Sequence, residues 1–147
     1  MSTYKSKTLV TWIALIGGGL GLHRFYLHGL RDVWGWLWPV PTFLGVYGVE
    51  RVLKLGQDDQ LAWLLIPLLG VALASSMLAG IVYGLTPDET WNARYNPEGP
   101  QHHTGWAVVF GVIVSLLLGA TVLMSTIAFG GQRYFEYQIE EGRKISQ

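Results

Sequence analysis

The sequence predicts an all-α integral membrane protein with about four transmembrane helices, the second bent or split by proline. Three observations lead there. Two windows, 61–85 and 99–132, run for 25 and 34 residues without Asp, Glu, Lys or Arg. Only 14% of the 147 residues are charged, where a soluble domain averages about 25%. The 19 glycines recur inside the apolar stretches rather than in one linker. About 20 apolar helical residues span a hydrocarbon core of about 30 Å, and both windows exceed that.

Composition also excludes several classes. Ten basic and ten acidic residues cancel, and no basic cluster offers a nucleic-acid surface. Cysteine is absent, which removes a disulfide scaffold, a thiolate zinc site and a Cys nucleophile. No cofactor is expected. The length fits one domain.

Taken in order, residues 1–7 form a short N-terminal segment and 8–55 a helical hairpin. Its first apolar run, 8–22, is short for a span, with Lys5 and Lys7 placed to snorkel. A signal peptide is the rival, and Gly17-Gly18-Gly19 supplies small residues, but Leu20 to Arg24 read as a turn. The second run, 33–53, contains Trp38-Pro39-Val40-Pro41, which should bend or divide it. Segments 61–85 and 105–130 are the third and fourth spans, and Pro67 should kink the third. Residues 86–104, with Pro87, Pro97, Gly99 and Pro100, read as a polar loop. The tail, 131–147, is charged and continues toward the headgroups.

Four full spans put residues 1–7, 54–60 and the tail on one side. That side would hold Lys5, Lys7, Arg51, Lys54, Arg133, Arg143 and Lys144, against Arg24, Arg31 and Arg94 opposite. The positive-inside rule then predicts both termini in the cytoplasm. Helices in lipid associate through small residues four apart. Ser76, Gly80 and Gly84 form one such strip, Gly111, Ser115 and Gly119 another. An intramolecular bundle is the plain use of these strips; a homo-oligomer contact is the alternative.

One stretch resembles a known family. Gly18-Gly19-Leu20-Gly21-Leu22-His23-Arg24-Phe25-Tyr26-Leu27 lies between the first two apolar runs, and Gly45-Val46-Tyr47-Gly48-Val49-Glu50 closes the second. This layout is similar to the TM2 domain family, two transmembrane helices joined by a signature loop. The likeness covers about residues 5–55. His28 stands where the family usually has Gly, and Glu50 where it usually has Asp. The resemblance implies a bacterial cytoplasmic (inner) membrane protein and no defined reaction. Gly18, Gly21, His23, Arg24, Phe25 and Tyr26 are the signature residues it points to.

Arg24 can cap carbonyls, hold a lipid phosphate or pair with a carboxylate, Asp32 being the near one. Glu50 would meet Arg24 only if the second segment re-enters; an interfacial charge is its simpler reading. The glycine cluster lacks the Gly-Lys-Ser/Thr of a phosphate loop, and no Gly-x-Ser-x-Gly or His-Glu-x-x-His occurs. His23, His28, His102 and His103 all fall in the two outer loops with Asp88 and Glu89, a weak candidate metal set.

The expected function is therefore a non-enzymatic scaffold or accessory subunit, working through lipid and a membrane-protein partner or second copy, without nucleic acid. A small transporter or channel is the alternative, although 61–85 and 105–130 offer only hydroxyls. A metal-binding membrane protein is the third.

Overall fold

The computed structural model describes residues 4–146, and the ends of the 1–7 and 131–147 segments fall outside it. The described residues are helical, with no strand. Helix α1 (Lys7–Gly17) starts at Ser6, whose Oγ accepts the Leu9 N–H at 3.3 Å. It does not continue to Leu22. The three consecutive glycines weaken the helix, and the chain tightens into a 3-10 turn, Gly18–Leu20. Gly21 then adopts φ 72°, a left-handed conformation that glycine takes without strain. A Cβ there would lie 2.5 Å from the Gly35 carbonyl oxygen. Helix α2 (Leu22–His28) leads back beside α1.

Proline divides the next segment as expected. Helix α3 (Val33–Leu37) stops, Trp38 intervenes, and α4 runs Pro39–Leu55. Pro39 and Pro41 sit in the first turn of α4, where the missing N–H costs no hydrogen bond inside that helix. Helix α5 (Gln60–Leu85) is capped by Asp59, which accepts the Ala62 N–H at 3.0 Å, and runs uninterrupted through Pro67. Helix α7 (Trp106–Ile145) is 40 residues long and carries most of the tail with it. Among the described residues, only α5 and α7 are single helices long and apolar enough to cross a membrane.

One expectation is corrected outright. The 86–104 segment is not merely a loop, because α6 (Asp88–Tyr95) occupies part of it. Asp88 and Glu89 in its first turn and Arg94 in its last complement the helix dipole. Those signals were present in the sequence but outweighed by the surrounding Pro and Gly.

Helix α5 is the centre of the packing. Gly45 and Gly48 of α4 press onto Leu69 and onto Leu65 and Ile66. On another side α7 runs antiparallel, with Gly84 against Val112, Gly80 near Ser115, and Gly119 against Met77. Gly111 of α7 lies against Thr11 and Trp12 of α1, and Gly18 lies against Ser76. The small-residue strips thus sit at contacts within the chain.

These contacts also set the depth of α1. Lys7 lies at the end of α5, bonded to Thr86 and Asp88, while Gly18 reaches only to Ser76. Eleven residues cover about 16 Å, so α1 runs along less than half of α5. Lys5 and Lys7 therefore lie at the α6 end, not at the α4–α5 turn where four full crossings would put them. With them are Arg24, Arg31 and Arg94; Arg51, Lys54, Arg133, Arg143 and Lys144 belong to the opposite end.

Two glycines give a paired test. A Cβ at Gly45 would fall 2.5 Å from Leu69 N and 2.7 Å from Leu69 Cα, backbone that cannot swing aside, whereas Gly130 has open space around it. Gly45→Ala should cost about 1–3 kcal/mol through overpacking. Gly130→Ala should be neutral or add up to about 1 kcal/mol from helix propensity. Unfolding followed by circular dichroism in mild detergent measures both; equal effects would contradict this packing.

Candidate functional site at the junction of α1, α2 and α6

Polar groups concentrate where α1 begins. The Lys7 side chain is 2% exposed, and its ammonium donates to Thr86 O at 2.7 Å and Asp88 Oδ1 at 2.5 Å. Asp88 also accepts the Thr104 hydroxyl at 2.5 Å and the Thr104 N–H at 2.8 Å. One ion pair therefore ties the start of α1 to the end of α5, the start of α6 and the approach to α7. Burial alone would raise the Asp88 carboxyl, but the bonds from Lys7 and Thr104 and the Lys7 charge hold it below the usual carboxylate range.

The backbone just before α1 is bound as tightly. Lys5 N donates to Asn96 Oδ1 at 2.8 Å, and Lys5 O accepts Trp91 Nε1 at 3.0 Å and Asn96 Nδ2 at 3.1 Å. Asn92 bonds both backbone groups of His102, donating to its carbonyl at 2.9 Å and accepting its N–H at 2.7 Å. Tyr4 OH and His102 Nδ1 lie 2.8 Å apart. Val10, Leu27 and Trp91 form the apolar cluster beneath this network.

The signature residues serve the same junction. Tyr26 OH accepts the Ser6 N–H at 2.8 Å, while Lys5 Nζ bonds Tyr26 O at 2.6 Å and lies 4.9 Å from the Tyr26 ring centre. Phe25 covers Gly35 and stacks edgewise on Trp36 with centroids 5.2 Å apart. Arg24 grips Asp32 with two donors, Nε to Oδ2 at 2.6 Å and Nη2 to Oδ1 at 3.3 Å. His23 is 1% exposed, edge-on to Trp38 at 5.3 Å, and its Nδ1 has no hydrogen-bond partner among the described residues. The turn between α1 and α2 satisfies its own backbone: Gly21 N–H bonds Gly18 O at 2.9 Å, and the Thr42 hydroxyl donates to Gly19 O at 2.6 Å.

Other sequence candidates lie apart from this junction. Glu50 is exposed and pairs with Lys54 one turn on, so it does not meet Arg24. Arg51 makes a bidentate pair with Asp59, 2.7 Å on each side, which the sequence reading missed. Its signal was there, an arginine ahead of the Asp58-Asp59 start of α5. The four histidines do not converge. His23 is among aromatic rings, His102 is held by Tyr4 and Asn92, and His28 and His103 are exposed. Among the described residues no three His, Cys, Asp or Glu side chains gather as a metal site. Asp88, Thr104, Asn92 and Asn96 are the residues that sequence reasoning did not single out for this role. Their partners are up to 91 residues away in the chain. No family model matches the chain, and no curated protein or solved structure matches it.

Breaking the ion pair from one side leaves a buried charge. Asp88→Ala should cost about 3 kcal/mol, and Lys7→Met added to it should restore part of the loss. Additive losses in thermal unfolding would contradict the pairing. Acid acts in part through His102, whose ring is held below its ordinary value by burial and by the Lys7 charge. The unfolded chain takes up that proton first, so stability is full above about pH 6.5 and declines as pH falls below it. His102→Gln should make this decline shallower, which the unfolding midpoint between pH 7 and 5 measures.

Proposed function

We propose that the chain is a small integral membrane protein of the TM2 domain type, without enzymatic activity. In this reading it serves in a bacterial cytoplasmic membrane as a scaffold or accessory subunit, through helix and lipid contacts. One observation carries the membrane reading. The apolar windows of α5 and α7 are each only 22% buried. The core helix of a soluble domain would bury such a window. Instead Leu64, Val71, Leu78, Phe110, Leu117 and Met124 are all more than half exposed. A surface of that kind is matched by hydrocarbon, not by water.

The arrangement favours a topology different from four full spans. Helices α3 and α4 together cover residues 33–55, about 34 Å, and cross once with a break at Trp38. Helices α5 and α7 cross once each. Residues 5–28 form a re-entrant hairpin that enters beside α6, turns at Gly18–Gly21 and returns. Non-helical backbone at membrane depth is tolerated where protein buries it, and Gly18, Gly19 and Gly21 are all buried. The basic residues then divide evenly, five at each end, and the expected positive-inside excess disappears. The TM2 reading rests on the His23-Arg24-Phe25-Tyr26 stretch, which lines the return arm of this hairpin. The scaffold reading rests on how its polar groups are used: Arg24, Lys7, Asp88 and Asn92 all bond other parts of the chain.

Membranes from cells expressing the chain provide the test. After washing with alkaline carbonate, the protein should remain in the pellet and leave it only with detergent. Release into the carbonate supernatant would contradict the proposal.

A further inference from the structure

Beside the Lys7–Asp88 pair, a groove of about 320 Å³ opens between the end of α5 and the start of α7. Its walls include Gly84, Val109 and Ile113, and its mouth is Lys7, Asp88 and Thr104. Two further grooves between α5 and α7 have no charged lining residue. This one alone of the three joins an apolar trough to a charged end. The charged end sits where the helices stop, and Ile113 lies about 10 Å further along α7. An amphiphile in one bilayer leaflet has the same layout, with headgroup outside and chain inward.

The state of Asp88 selects the headgroup. Oδ1 accepts two bonds, from Lys7 and Thr104, and Oδ2 accepts one. A carboxylate has about four acceptor positions, so one remains, on a side chain 31% exposed at the mouth. The Lys7 ammonium is enclosed, 2% exposed, and already bonded to Thr86 O and Asp88. The accessible charge at the mouth is therefore the Asp88 carboxylate, and its open acceptor position suits a cationic donor rather than an anion.

We propose that this groove is a lipid site, taking one acyl chain along Val109 and Ile113 while a primary-amine headgroup donates to Asp88 Oδ2. The site rests on the membrane reading above and names the lipid class that reading leaves open. A phosphatidylethanolamine fits both parts. A phosphatidylcholine has the same chain but a quaternary ammonium with no N–H to donate.

The full-length protein in mild detergent, titrated with each lipid and examined by native mass spectrometry, tests the site. Phosphatidylethanolamine should bind about tenfold more tightly than phosphatidylcholine of the same chains, the worth of one hydrogen bond to a charged group. Val109→Trp fills the trough without touching the ion pair and should abolish the preference while circular dichroism stays unchanged. If that variant fails to fold, Ile113→Phe replaces it. Equal binding of the two lipids, or a preference that survives a folded groove-filling variant, would overturn the site. Release by carbonate overturns the membrane reading, whereas a carbonate-resistant protein with no lipid preference overturns only this inference.

Discussion

The pair between the buried Lys7 and the partly exposed Asp88 is the constraint on which the arrangement depends. A lysine ammonium enclosed by protein is tolerable only with its charge met and hydrogen bonds in place of water. Here Asp88 meets the charge and Thr86 O takes a second donor. Because Asp88 opens α6 directly after α5, the pair fixes the start of α1 to one end of the central helix. The length of α1 then decides how deep it reaches, and the Gly18–Gly21 turn falls beside Ser76. From there α2 must return, which carries Tyr26 to Ser6 and Arg24 to Asp32.

Small residues make this economy of space possible. Gly80 and Gly84 let α1 and α7 approach the same stretch of α5, while Gly45 and Gly48 do the same for α4. In lipid, where burial of apolar side chains gains nothing over contact with acyl chains, close packing of this kind is the main attraction between helices. The junction at α6 supplies the polar part, with Asn92 and Asn96 clamping backbone that no helix satisfies. Packing holds the long helices, and hydrogen bonding holds the hairpin against them.

Much of this was legible in the sequence and some was not, for identifiable reasons. The apolar windows of α5 and α7 announce themselves by the absence of charge. The break at Trp38 follows from Pro39 and Pro41, and the Arg24–Asp32 pair lies close enough in sequence to anticipate. The glycine strips were readable as packing surfaces, though not which helix each would meet. Helix α6 was hidden among prolines. The depth of α1 was beyond reach because hydropathy records that a segment is apolar, not how far it travels. What sets that depth is a partner 81 residues away. Likewise, histidines that share a loop on paper are separated once Tyr4, Trp38 and Asn92 claim two of them.

In the proposed topology the hairpin enters and leaves at the α6 end, so residues 4–6 share a side with residues 96–105. The chain has no cysteine, so single cysteines can be placed without further change. In sealed membranes, Tyr4→Cys, Gln57→Cys and Gln101→Cys can each be challenged with a membrane-impermeant maleimide. Tyr4→Cys should label from the same side as Gln101→Cys and opposite to Gln57→Cys. Labelling of Tyr4→Cys together with Gln57→Cys would restore a full first span and contradict the re-entrant hairpin.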